Sequence, residues 1–400
     1  MRGANVLSFF LAMALSLGCS KSKAPDEERD TVSGGTSNTV GDETGGASGG
    51  SAGGGGTEVT KAAGDPQVDC AAVKKLGVRI VGRFEGCEQG PVRMAWSGTG
   101  FIARFRGTGL RFVQKGSSLQ YTVVIDGQLQ PDLETQSGEA TYVAASGLSA
   151  GEHQLEVYRR GEAHFGVTEL FSVEVDDGEL LEPPPAPERR IEIFGDSISC
   201  GYGNEGTSTD CSFSADTENH YLTYGALLAR HFGAELSTVA WSGKGVVINY
   251  GGDTSITLPE LAERALPEDA SSLWRYDVVS PPQAVIINLG TNDYSTDNDP
   301  SDAEFVSKYV GLLEQIRGHY PDAHILCTVG PLLSGSDLAT ARKNIAAAVG
   351  QLASAGDERV EAFELAPENP DPGCDWHPSL STHQDMASEL QSHLAQVLGW

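Results

Sequence analysis

The segment Ile193-Phe194-Gly195-Asp196-Ser197-Ile198 decides the reading of this chain, because an apolar run of strand length breaks off into a Gly-Asp-Ser-Ile turn. Further apolar runs at residues 236–241, 285–289, 324–329 and 360–365 also read as buried strands, and helical patterns separate them. Residues 220–232 carry apolar side chains at helical spacing. Ser301-Asp302-Ala303-Glu304 is a capping box opening a helix that carries Val306, Tyr309, Val310, Leu313 and Ile316. Ser381-Thr382-His383-Gln384 opens the last helix in the same way, through Leu390, Leu394 and Val397. Strand-helix alternation across residues 189–400 predicts an α/β domain with three layers, a parallel sheet of about five strands covered on both faces. In such sheets ligands bind beyond the carboxyl ends of the strands.

Three motifs follow the serine: Trp241-Ser242-Gly243, Gly290-Thr291-Asn292-Asp293 and Asp375-Trp376-His377-Pro378. Ser197, Gly243, Asn292 and His377 each lie just past a predicted strand end or in a loop before a helix, so they converge at one end of the sheet. The residue types suit acyl transfer. A serine hydroxyl must lose its proton as it attacks, and His377 can accept it and return it to the leaving alcohol. A carboxylate on the far ring nitrogen would fix the tautomer, and Asp375 is the nearest candidate. The backbone N–H groups of Ser197 and Gly243 and the side-chain amide of Asn292 could stabilise the oxyanion. Each motif alone has a blander reading, as a turn, a cap or a loop histidine. Their order and spacing set them apart from His153, His164, His220, His231, His319, His324, His383 and His393, which lack a matching context.

Upstream, residues 69–182 read as all β. Residues 100–107 and 110–113 alternate apolar and polar side chains with a turn between them, residues 121–127 end in a hairpin-like Asp126-Gly127, and residues 153–158 continue the rhythm. Short strands at this spacing predict a β-sandwich. The proline-rich residues 183–188 cannot join a ladder and form a stiff linker to the α/β domain.

The N-terminus reads as an export signal, Arg2 being followed by the apolar residues 6–17 and then Gly18-Cys19-Ser20. Residues 20–66, rich in Gly, Ser, Thr and acidic side chains, read as a disordered tether with nothing to bury. Of the net charge of −28, −25 belongs to the remainder of the chain, and so acidic a surface argues against nucleic acid as a partner. The six remaining cysteines suit an oxidising compartment. Neighbours in the chain suggest the pairs Cys70 with Cys87, Cys200 with Cys211, and Cys327 with Cys374. No CxxC occurs and the histidines do not cluster at ligand spacing, so neither a metal nor another cofactor is expected.

The four motifs resemble those of the SGNH, or GDSL-type, hydrolases. The longer stretches Gly195-Asp196-Ser197-Ile198-Ser199-Cys200-Gly201-Tyr202-Gly203-Asn204-Glu205, Ala240-Trp241-Ser242-Gly243-Lys244-Gly245 and Cys374-Asp375-Trp376-His377-Pro378-Ser379 resemble carbohydrate esterase family 2. The resemblance implies a jelly-roll β-sandwich before the SGNH domain, and Ser197 as nucleophile, Gly243 and Asn292 as oxyanion donors and His377 as base. It also implies metal-free removal of acetyl groups from plant cell-wall glycans such as xylan or mannan. Most of the superfamily places its acid three residues before the histidine, where Cys374 stands; Asp375 stands two before, as in members of the narrower family, some of which work with a Ser-His pair. Tyr250 is an aromatic platform for a sugar by similarity of position, with Trp376 beside the histidine as a second. The signal resembles that of a bacterial lipoprotein, with Cys19 as the lipidated residue although Ser16 replaces the usual leucine. The protein is therefore expected to be exported and anchored at the cell envelope, at the outer membrane or cell surface, touching the membrane only through that anchor; the alternative is ordinary secretion with Cys19 removed. A monomer is expected. Two other readings stay open: a short-chain lipase or thioesterase of the same superfamily, and a noncatalytic glycan-binding surface lipoprotein.

Overall fold

In the computed structural model, which describes residues 70–400 apart from Asp297, five strands form an all-parallel sheet. These are β1 (Arg190–Gly195), β2 (Glu235–Ala240), β3 (Ala284–Asn288), β4 (His324–Val329) and β5 (Val360–Glu364), in the order β2-β1-β3-β4-β5. Side chains alternate between the two faces, as the pleat requires. Ile191, Ile193, Ala284 and Ile286 meet the helices α1 (Tyr224–Phe232) and α4 (Leu380–Leu398) on one face. Phe194, Val285, Ile287 and Ile325 meet α2 (Asp302–His319) and α3 (Gly335–Ser354) on the other. The expected three layers are present. The strand order reverses between β2-β1 and β3, which opens a crevice at the carboxyl ends of those strands.

Local chemistry sets the helix starts. Ser301 Oγ accepts the Glu304 N–H at 3.3 Å, as its capping box predicts. The pattern at residues 220–232 is broken at Thr223, whose extended backbone and hydroxyl cap make it the start of α1; His220–Leu222 forms a separate 3-10 turn. The last helix begins at Leu380, before the Ser381 motif, with Ser379 at its N-cap position. The alanine-rich α3 starts after Ser334 in a similar Ser334-Gly335-Ser336-Asp337 stretch, but there Ser334 makes no side-chain cap bond.

The upstream region is a sandwich of two antiparallel sheets. One holds Gly100–Gly107, Gly151–Arg159 and Gln120–Ile125 as neighbours; the other runs Val92–Met94, Thr168–Asp176, Gly109–Gly116, Gly138–Ala145. Phe101 and Phe112 meet edge to face between the sheets, their centroids 5.3 Å apart. Asp126 and Gly127, both at positive φ, make the two-residue turn that pairs Ile125 with Gln128. The last strand ends at Leu181, and the proline-rich residues follow.

Sandwich and sheet domain share their cores. Trp96 and Ala163 pack among the sheet's residues, while Ala265, Trp274 and Val278 pack into the sandwich. Buried Arg83 binds Glu192 of β1 at 3.0 Å and the Ala262 carbonyl at 2.5 Å. A buried, paired charge is costly to leave with one partner, so this contact fixes how the halves meet.

Cys70 and Cys87 are bonded as expected, but the other disulfide joins Cys211 to Cys374, leaving Cys200 and Cys327 as buried thiols. The expected pairs Cys200 with Cys211 and Cys327 with Cys374 are therefore corrected. Cys327 points from β4 into the core and Cys200 lies inside the first turn after β1, so neither reaches the loops that carry Cys211 and Cys374. The signal, Cys19 and the tether lie outside the described residues.

Candidate active site

Ser197 opens a one-turn helix directly after β1, with Asp196 as its cap: Asp196 Oδ1 accepts the Ile198 N–H at 3.0 Å. As the first helical residue, Ser197 has no intrahelical acceptor for its N–H. His377 arrives on the loop after β5, and its Nε2 stands 2.9 Å from Ser197 Oγ. Nucleophile and base, separated by 180 residues, are within hydrogen-bonding reach.

The other ring nitrogen decides what orients the base. His377 Nδ1–H donates to the main-chain carbonyl of Asp375 at 3.1 Å. The Asp375 carboxylate instead accepts the Tyr202 hydroxyl at 2.9 Å and the Phe213 N–H at 3.2 Å. The expected triad contact is corrected accordingly: Asp375 serves the ring through its backbone. The cause is conformational. Asp375 and Trp376 both sit at positive φ, 50° and 63°, which turns the carbonyl toward the imidazole. Left-handed backbone at a non-glycine residue costs on the order of 1–3 kcal/mol. The surroundings hold it: the Cys211–Cys374 bond, the Gly373 N–H on the His377 carbonyl at 2.7 Å and the Cys374 N–H on the Gly203 carbonyl at 3.0 Å. A Cβ at Gly203 would come within 2.8 Å of Cys374, so this close approach needs glycine. The Tyr202 ring lies over His377 with centroids 4.1 Å apart.

This geometry predicts that Asp375→Asn keeps hydrolysis within about tenfold of the parent, whereas loss of a true triad carboxylate costs about 10^4-fold. Asparagine tolerates the left-handed turn and leaves the backbone carbonyl in place. Aryl acetate kinetics on the folded variant check it, and a loss of about 10^4-fold would restore the triad.

Gly243 follows β2 at φ +78°, a conformation glycine adopts without penalty, and its N–H meets no acceptor among the described residues. Asn292 follows β3 and donates its amide to the Lys244 carbonyl at 2.9 Å, with Asp196 Oδ2 at 3.3 Å. Its neighbour Asp293 accepts the N–H groups of Val246, Val247 and Ile248 at 2.7 to 3.0 Å. The loop carrying Gly243 is thus strapped to the loop carrying Asn292.

Tyr250 and Trp376 are 53% and 64% exposed, so both offer a ring face to solvent. Their packing role is small. A cleft of about 540 Å³ lies elsewhere, between the sandwich and α1, where Tyr158, Tyr221 and Arg230 line it; none of the candidate site residues does. Sequence reasoning missed Tyr202, Asp293 and Glu162. The first two stand inside quoted motifs, while Glu162 comes from the sandwich and carried no signal. Glu162, Cys200 and Glu218 bring one ligand-type atom each within 4.8 Å of one another, fully buried. Both oxygens of Glu162 already accept hydrogen bonds from Ser242.

Strand order, serine turn and facing histidine define a GDSL-type serine hydrolase, and residues 193–384 match the GDSL-like Lipase/Acylhydrolase family. Residues 80–185 match the Carbohydrate esterase 2 N-terminal family. A family two carbohydrate esterase from Clostridium thermocellum, solved with cellohexaose, is 36% identical; the match covers 81% of this chain and 99% of that one, with a TM-score of 0.78. The chain belongs to carbohydrate esterase family 2. It is also 36% identical over 327 residues to the cellulase/esterase CelE of Acetivibrio thermocellus, covering 81% of this chain but only 40% of that protein. An acetylxylan esterase / glucomannan deacetylase of Cellvibrio japonicus is 27% identical over 282 residues, 70% of this chain and 76% of that one.

Proposed function

We propose that this protein removes O-acetyl groups from polysaccharides or their oligosaccharides through an acyl-enzyme on Ser197. The observation that carries the reading is the 2.9 Å contact between Ser197 Oγ and His377 Nε2, beside two exposed aromatic rings. His377 takes the hydroxyl proton as Ser197 attacks the acetyl carbonyl, then gives it to the departing sugar oxygen. Water, deprotonated by the same imidazole, releases acetate. In this reading the N–H groups of Ser197 and Gly243 would stabilise the developing oxyanion, joined by the Asn292 amide once it turns from the Lys244 carbonyl and Asp196; one such donor is worth about 3 to 4 kcal/mol. Tyr250 and Trp376 serve as platforms for the apolar faces of sugar rings. Names of relatives that include acetylxylan esterase and glucomannan deacetylase support acetylated glycans as the substrate class. Export on the N-terminal signal and lipidation at Cys19 would place the enzyme where such polymers are met.

A series of aryl esters of increasing acyl length tests the reading: acetate is expected to be preferred, and a preference for long chains would favour a lipase. The pH profile supplies a second check. Burial lowers the His377 pKa below its ordinary 6.5, against the raising effect of the Asp375 carbonyl bond. The base works when unprotonated, so activity should persist at pH 6.5 and fall only on further acidification. An acidic limb of kcat/KM centred above pH 7 would contradict this assignment.

A further inference from the structure

We propose that Glu162, carried by the sandwich domain, is a positioning residue of the esterase site that fixes the turn presenting the Gly243 N–H. This rests on the reading of Gly243 as an oxyanion donor. Glu162 Oε2 accepts the Ser242 N–H at 2.6 Å and Oε1 accepts the Ser242 hydroxyl at 2.5 Å, so one carboxylate holds both donors of the residue before Gly243. Charge-assisted bonds of this kind are about twice as strong as neutral ones. Beyond Gly243 the loop is tied by Asn292 and Asp293; before it, Glu162 holds Ser242, and the Trp241 N–H reaches the Gly195 carbonyl at 3.4 Å. The peptide N–H between them is aimed from both sides.

The sandwich is built to deliver this carboxylate. Arg159, fully buried, donates to the carbonyls of Gly161, Glu162 and Gly166 at 3.1, 2.6 and 2.7 Å, shaping the turn from which Glu162 projects. Ala163, next in the chain, is packed in the core of the sheet domain. Four other groups face the carboxylate. Cys200 Sγ lies 3.7 Å from Oε2 and His164 Nδ1 lies 3.7 Å from Oε1. Glu218 Oε2 accepts the Glu162 N–H at 3.3 Å, and Arg159 supplies a nearby positive charge. Burial and then the neighbouring Glu162 charge push the Glu218 carboxyl far up. Burial also works against Glu162, but the His164 and Ser242 contacts outweigh it and hold its carboxyl below the ordinary range. Both Glu162 oxygens are directed at Ser242. The sandwich therefore enters the reaction through the oxyanion loop.

The test uses the full chain with Glu162→Gln, Glu162→Asp and Ser242→Ala, following aryl acetate kinetics and inhibition by an arylboronic acid, whose tetrahedral adduct on Ser197 reads the oxyanion site. Glu162→Gln puts a donor amide against the Ser242 donors, and kcat is expected to fall about 10^2-fold with KM within about threefold. The boronate inhibition constant should rise by a similar factor. Glu162→Asp, which keeps the charge, should recover part of the loss. Ser242→Ala, which keeps the N–H contact, should lose less than about tenfold. If Glu162→Gln does not fold, Glu162→Asp and Ser242→Ala must still show kcat and boronate affinity falling together at constant KM. Variants that lower only the fraction of active enzyme, with boronate affinity unchanged, would overturn the proposal. So would loss of kcat on chelation restored by a divalent cation, which would make Glu162, Cys200 and Glu218 a metal site. If Ser197→Ala left esterase activity intact, the parent reading would fail first, independently of Glu162.

Discussion

Ser197→Ala is expected to lower aryl acetate hydrolysis by at least about 10^4-fold while the protein stays folded, because it removes the hydroxyl that stands against the His377 base. The substitution is mild for the fold. Ser197 begins its helical turn, and the cap that starts it belongs to Asp196, whose bond to the Ile198 N–H does not involve the serine hydroxyl. Alanine is a good helix former, and no partner other than His377 Nε2 is seen for Oγ among the described residues. Thermal unfolding of the variant should therefore match the parent to within about 1 kcal/mol. An Ser197→Ala protein that still turns over at the parental rate would move the chemistry elsewhere.

His377→Gln should cost about as much, and the double variant should be little worse than either single one. Groups that act in one proton transfer are not additive, since removing either partner already disables the step. Here the expectation has a particular form, because the ring is oriented by a carbonyl and not by a carboxylate. Only two side chains should therefore show losses of about 10^4-fold or more, with Asp375→Asn well above them. Single-turnover kinetics on the three variants and the double variant check this pattern. Losses that multiply in the double variant would mean that serine and histidine act in separate steps.

What the sequence revealed and what it hid separate along physical lines. The central strand β3 was legible because a strand buried on both faces writes a continuous apolar run, Val285-Ile286-Ile287, whereas the edge strand β5 alternates as Val360-Glu361-Ala362-Phe363-Glu364. Gly243 and Asn292 were legible because loops after β2 and β3 must end near the loop after β1. The path of the Asp375 side chain was not legible. It depends on two left-handed residues, and no local composition announces them in a Cys-Asp-Trp-His stretch. Disulfide pairing failed for a related reason: proximity in the chain favoured Cys200 with Cys211, whereas the fold brings residue 374 to residue 211. Glu162 was invisible because its partner is a backbone N–H in another domain. Two of the histidines without a motif context lie in the core. His220 and His383 are fully buried, and burial first, then neighbouring positive charge, lowers both pKa values to about 3, so they stay neutral in the core.

Acetate release from an acetylated polysaccharide tests the central claim most directly, with the parent and Ser197→Ala compared on acetylated xylan and acetylated glucomannan. The account predicts steady acetate release by the parent from at least one of them and a background trace from the variant. Equal release by both proteins, or none by a folded parent that binds the polymer, would contradict it.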